Sequence, residues 1–330
     1  MTRQHDHDVR PLVADPSRIR LAMLGMVDGN GHPYSWSAII NGRFDAHVMA
    51  QCGYPVIPQY LAANRDALGI DGAQVTHVWC DDPADAQRVA EAAHIPHVAQ
   101  NATDVIGQVD AVVIATDKGH EHVERARPFI EAGLPVFIDK PLTDNEADLK
   151  QFIAWHDAGK PLMSTSCMRY APEFAGLRAR IHAVGEPRLI IHAMLKSWDR
   201  YGIHALEGVY PFLAPGGWTS VSHSGDDKQC VVHVRHDSGV EVVLPVIEDM
   251  VGGYAHLSVY GTKGMLHARA ADTFTAFKAQ LVAFVDYLRS GALPFDFAQT
   301  VELMTIIIAG IRSREQGGGT VALSRIDVSC

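Results

Sequence analysis

Residues 111–145, AVVIATDKGHEHVERARPFIEAGLPVFIDKPLTDN, constrain the fold of this chain more than any other stretch. Two β-branched runs, Ala111 to Thr116 and Pro135 to Asp139, flank a segment from His120 to Ala132 with helical spacing, and Gly or Pro bounds each run. That pattern is a βαβ unit, which commits the chain to an open parallel sheet. Such sheets bind ligands beyond the carboxyl ends of their strands, so Lys140, directly after the second strand, is expected over a ligand crevice. Pro141 disfavours the helical region at the residue before it and keeps Lys140 extended.

Upstream, Ile19 to Gly25 is a short apolar strand followed by a glycine-rich turn, Gly25, Met26, Val27, Asp28, Gly29, Asn30, Gly31. A dinucleotide site needs strand, glycine turn and helix, so that a pyrophosphate can sit against backbone N–H groups. Here the glycines are spaced G-x3-G-x-G rather than G-x-G-x-x-G. Residues 32–74 then form an unusually long, aromatic connection, read as an insertion at the crevice or as an excursion packing its own aromatics. The second strand, Val75 to Cys80, ends in Asp81 and Asp82. An acidic side chain there accepts ribose hydroxyls and repels a 2′-phosphate, which favours NAD over NADP, although either Asp can instead cap the helix opening at Pro83.

From about residue 166 strand-like runs follow one another without intervening helices, Asp237-Ser238-Gly239 reading as a hairpin turn, and helices close the chain over 275–291 and 298–316. The expected organisation is a mobile arm (1–18), a Rossmann-like α/β domain (19–165) and an α+β domain (166–330) with a mostly antiparallel sheet. A net charge of −10 with no Lys/Arg run argues against nucleic acid or an anionic membrane as partner. Five scattered cysteines without a CxxC pair indicate neither a disulfide framework nor a zinc site, and point to the cytoplasm.

Several segments in one order resemble the Gfo/Idh/MocA oxidoreductases. The βαβ stretch resembles the family's Thr-x-x-x-His, helix and Glu-Lys-Pro signature, with Asp139 in place of Glu. CMRYAP, YGIHALEGVYPFLAPGG, VYGTKGMLH and the closing helices resemble its later motifs. The resemblance implies that Lys140 and His204 are catalytic, with Gly25, Met26, Gly29, Gly31, Asp81, Ala115, Thr116, Asp117, His120, Asp139 and Lys140 lining the cofactor. The family's aspartate, four residues before its histidine, does not carry over: Arg200 stands there, with Asp199 one position out of register and Tyr201 beside it. Arg200 can clamp a carboxylate or phosphate. Arg169 and, from the long connection, His32, Tyr34, Trp36 and Asn41 are further candidates for the substrate pocket.

The implied activity is NAD-dependent hydride transfer at a secondary alcohol of a sugar, cyclitol or sugar acid. Two alternatives stand beside it: a lyase, epimerase or glycoside-cleaving enzyme holding NAD tightly and using transient oxidation, and a non-catalytic sensor on the same fold. Metal ligands are not expected. The partner is a small polyol, and a homodimer or homotetramer through the second sheet is expected.

Overall fold

The computed structural model describes residues 10–325. Its first sheet holds β1 (Ile19–Leu24), β2 (Ala73–Trp79), β3 (His97–Val98), β4 (Ala111–Ile114), β5 (Val136–Ile138) and β6 (Leu162–Met163). All pairings are parallel and the order is β3-β2-β1-β4-β5-β6. This is the doubly wound order whose switch point lies between β1 and β4. Each residue of β4 and β5 is buried, as strands covered on both faces must be.

The helices are α1 (His32–Asn41), α2 (Ala46–Met49), α3 (Val56–Ala63), α4 (Pro83–Ala93), α5 (His122–Glu131), α6 (Glu146–Asp157), α7 (Pro172–Ala179), α8 (Trp198–Val209), α9 (Thr273–Ser290) and α10 (Phe297–Glu315). The long connection divides differently from expectation. Residues 32–41 are α1, the helix that a nucleotide-type sheet places after its first strand, and Pro33 through Ile40 are all buried. A helix apolar all round belongs inside, and α1 lies beneath α3, α4 and α9. The added segment is therefore residues 42–72. It packs its own aromatics: Phe44 is buried, and Tyr54 lies against Gly31.

Two expected boundaries also shift. Residues 1–9 of the predicted arm lie outside the described residues, but residues 10–18 are docked: the Leu12 N–H donates to the Leu288 carbonyl at 2.8 Å and Val13 is buried. The helix α9, assigned by sequence to the second domain, crosses back to the first, where Phe277 and Phe284 meet Trp36 and Phe137.

The second sheet comprises β7 (Pro187–Leu195), β8 (Trp218–Gly225), β9 (Gln229–His236), β10 (Glu241–Ile247), β11 (His256–Gly261), β12 (Gly264–Arg269) and β13 (Val321–Ala322). Its order is β12-β11-β7-β10-β9-β8-β13, antiparallel except where β7 runs beside β10. The strand β8, WTSVSHSG, has a loop-like composition and was not foreseen; only Val221 and His223 are buried in it. The inner face, with Val232, Val242, Leu244 and Val246, is fully buried beneath α8 and α10. The opposite parity, Ile191, Val243 and Pro245 with Val231 40% exposed, forms an apolar outer face. Among the described residues no helix is long and apolar enough to cross a membrane.

Candidate functional site

Three segments of the first sheet reach the crevice: the turn after β1 and the exits of β4 and β5. Asp139, fully buried, ties them together. Its Oδ2 accepts from Asn30 Nδ2 at 3.0 Å and lies 2.6 Å from His32 Nδ1, while Oδ1 accepts from the Lys140 N–H at 2.7 Å. Asn30 also donates to the Ala115 carbonyl at 3.3 Å. Burial pushes the Asp139 carboxyl up, but His32 and Lys140 beside it outweigh burial and hold it below its ordinary value.

Lys140, 2% exposed, directs its ammonium at Asp117 Oδ2, 3.4 Å away. Burial would lower its pKa, but Asp139 and Asp117 outweigh burial and raise it, so the ammonium stays charged. Burial likewise opposes ionisation of Asp117, and Lys140 and Arg200 overcome it, holding this carboxyl at about 2. The second half of the chain closes over this cluster. Arg200 Nη2 donates to Asp117 Oδ1 at 2.6 Å and to the Asp28 carbonyl at 3.2 Å, and Lys196 Nζ donates to the Gly29 carbonyl at 2.9 Å.

His204, on α8, is 4% exposed, and its Nδ1 is 2.6 Å from Ser166 Oγ. Burial, with the charge of Lys140 next in size, holds its pKa well below the ordinary value, so the ring is neutral. The Tyr201 ring stands between the two groups, 5.0 Å from Lys140 Nζ and 4.7 Å from the His204 ring. A cavity of about 60 Å³ opens here, lined by His32, Cys167, Tyr201, His204, Tyr254 and Phe277.

A second cleft, about 280 Å³, lies at the carboxyl ends of β1, β2 and β4, between Leu24, Trp79, Ile114, Arg125 and Phe129. Asp81, 49% exposed, sits at its β2 side and pairs with Arg125 at 3.1 Å, while Asp82 caps α4. The turn between the two cavities is built for close approach. Gly25 has φ +82°, and a Cβ there would come within 2.7 Å of Thr116 Cγ2. The N–H groups of Met26, Val27 and Gly29 take no acceptor among the described residues. An apolar cleft, free amides before a helix and a buried lysine fit adenosine, pyrophosphate and nicotinamide riboside in that order. Ala115, Thr116 and Asp117 follow β4 at its exit and are buried.

Other expected site residues lie elsewhere. Tyr34 (2% exposed) and Trp36 (0%) are core residues of α1, which is covered on opposite sides: Trp36 meets Phe137 of β5, while Tyr34 lies on the side of α4. Asn41 ends α1 by donating to the Val75 and Ala93 carbonyls and accepting from the Val75 N–H. Asp199 turns from the crevice to Arg314, 3.1 Å away. Arg200 spends its charge on Asp117 rather than standing free to clamp a ligand. Arg169 pairs with Glu207 and Gln299 behind the site. His120 is exposed and bonded to Asp144, whereas His122, two residues on, is the buried one and bonds the Thr116 and Leu142 carbonyls. Sequence reasoning missed Asn30, Ser166 and Lys196. Asn30, embedded between two glycines of the turn, carried the one available signal.

Residues 48–163 match an oxidoreductase family with an NAD-binding Rossmann fold, Gfo/Idh/MocA. The chain is 35% identical over 137 residues to inositol 2-dehydrogenase 4 of Saccharopolyspora erythraea, covering 40% of this chain and 34% of that protein. It is 34% identical over 210 residues to the inositol 2-dehydrogenase of Corynebacterium glutamicum strain R, covering 56% and 62%. Against the first two curated relatives the match spans only about a third of their length, 34% and 30%. The fold is similar to that of scyllo-inositol dehydrogenase from Lactobacillus casei with bound NAD(H) and scyllo-inositol, with TM-score 0.70, 14% identity and coverage of 93% and 99%. It is also similar to a probable dehydrogenase from Thermotoga maritima, with TM-score 0.71, 17% identity and coverage of 94% and 100%.

Proposed function

We propose that the chain, whose residues 48–163 match the Gfo/Idh/MocA oxidoreductases, is an NAD-dependent enzyme transferring hydride between a secondary alcohol of a cyclitol or sugar and nicotinamide. The observation that carries this reading is the pairing, across Tyr201, of a neutral buried imidazole with an ammonium held positive by two carboxylates. When bound, NAD supplies the hydride acceptor. Lys140 lowers the energy of negative charge developing on the reacting oxygen, and it does so from a buried position where a charge acts strongly. His204 holds the reacting hydroxyl by hydrogen bonding. Tyr254 and Phe277 keep water from the cavity.

The inositol 2-dehydrogenases among its relatives support a cyclitol as substrate class. Asp81 at the end of β2 supports NAD over NADP. The apolar outer face of the second sheet supports a homodimer or homotetramer formed through it. One observation favours a second reading, in which NAD is held through the cycle and the net reaction is not oxidation: Arg200 and Lys196 close the crevice over the turn after β1.

The test is to incubate the chain with NAD and myo-inositol, scyllo-inositol or common aldoses and follow NADH absorbance. Steady NADH release with a cyclitol is expected. NAD that co-purifies and is never released would favour the second reading, and no nucleotide binding at all would reject both.

A further inference from the structure

We propose that the residue taking the hydroxyl proton in this crevice is His32, from the turn before α1, with Asp139 as its positioning residue. This rests on the reading of the crevice as a polyol-oxidising site.

The inference follows from what each imidazole is bonded to. Asp139 is fully buried, and its three hydrogen-bond partners are Asn30 Nδ2, the Lys140 N–H and His32 Nδ1. An ionised carboxylate can only accept, so His32 Nδ1 must carry a hydrogen. The neutral ring then has its lone pair on Nε2, for which no partner is found among the described residues. Stacking on Trp36 at 4.2 Å and an edge contact with Phe277 at 5.1 Å fix the ring plane at the wall of the cavity.

His204 lacks such a lock. Its Nδ1 meets Ser166 Oγ, a hydroxyl that can donate or accept, so the hydrogen can sit on either ring nitrogen. Burial, then the charges of Lys140, His32 and Lys196, oppose a positive charge on its ring, and no carboxylate is bonded to it. His32 has the opposite company, because the Asp139 charge faces the positive charge that a proton brings. Lys140 has no lone pair to offer while two carboxylates keep it an ammonium.

In the proposed step the Nε2 lone pair of His32 takes H⁺ from the substrate hydroxyl. The O–H electron pair becomes the second bond of the new carbonyl, and the hydride on that carbon leaves with its two electrons to the nicotinamide dinucleotide. His204 and Lys140 hold the oxygen.

Asp139→Asn is the decisive variant because it keeps the His32 ring. The Lys140 N–H requires the amide oxygen on its side, which turns the NH2 towards His32 Nδ1, moves the ring hydrogen to Nε2 and deprives the Asn30 amide of its acceptor. Nitrogen-15 NMR of histidine-labelled chain without cofactor should show His32 as the Nδ1–H tautomer in the wild type and as Nε2–H in Asp139→Asn. With a cyclitol that the wild type oxidises, both Asp139→Asn and His32→Gln should lose about 10²–10⁴ in kcat with little change in KM. A wild-type Nε2–H tautomer at His32 would overturn the proposal. So would folded His32→Gln retaining kcat in an active enzyme. A wild type that oxidises no cyclitol would reject the activity and the proton step with it, leaving the tautomer result to stand for the dyad alone.

Discussion

The two ends of the crevice are charged in opposite styles. At the β2 end Asp81 and Arg125 form a pair 49% and 21% exposed. At the β5 end Lys140, Asp117 and Asp139 are 2%, 1% and 0% exposed and share their partners. An exposed pair is stabilised little, about 0–1 kcal/mol, because water screens it. Buried charges are desolvated and tolerable only while each has its partner. The first end can therefore change its ligand preference at small cost to the fold, whereas the second responds as a unit.

Breaking the buried unit should have the largest effect. Lys140→Met leaves Asp117 with Arg200 alone and removes an ammonium that also acts on Asp139, and should lower unfolding free energy by about 3–5 kcal/mol. Chemical denaturation measures this, and kcat should fall by about 10²–10³ in the same variant. A folded Lys140→Met chain that kept the wild-type kcat would instead remove Lys140 from the chemistry.

Acid sharpens the comparison at intermediate size. His122, His192 and His204 are buried with pKa values lowered from 6.5 chiefly by burial, that of His192 to about 4. Below pH 6.5 the unfolded chain binds protons that the folded chain refuses. Their contribution is complete above 6.5 and is lost as pH falls below it, the loss from His192 alone reaching about 2 kcal/mol by pH 5. Asp117 adds a second step, complete above its ordinary 3.8 and lost as pH falls towards about 2. Urea midpoints should drop between pH 7 and 5 and drop again below pH 4; a flat profile would show that these groups are not buried in solution.

The smallest effect belongs to the exposed end. Asp81→Ser removes the carboxylate that would repel a 2′-phosphate and leaves Arg125, still paired with Glu121 at 2.9 Å, one partner fewer, which should shift preference towards NADP by about tenfold. Stability should change by no more than about 0.5 kcal/mol. Comparing NAD and NADP affinity by titration measures this, and an unchanged ratio would remove Asp81 from the cofactor site.

Part of this arrangement is local and was readable in the chain. Continuous apolar, β-branched runs bounded by Gly and Pro fix β4 and β5, their linking helix fixes the parallel sheet, and together they fix Lys140 at a strand exit. The hairpin at Asp237-Ser238-Gly239 joins β9 to β10 for the same local reason, Gly239 having φ +81°. The residues placed differently from expectation are those whose surroundings depend on what packs over a helix. Trp36 and His32 stand four residues apart on one face of α1 and stack on each other, and only the packing of Phe137 and Phe277 over that face puts Trp36 in the core and leaves His32 at the cavity wall.

By itself, the sequence determined the parallel sheet, the strand exits and the lysine above them, because these follow from backbone geometry over a few residues. Tertiary structure alone decided that Asp117 is shared by Lys140 and Arg200, residues 23 and 83 positions away. It alone joined Asp139 to His32 across 107 positions. Such pairings depend on how the two halves of the chain close on each other, and that closure is set by the burial of α1 and α9 rather than by any local pattern.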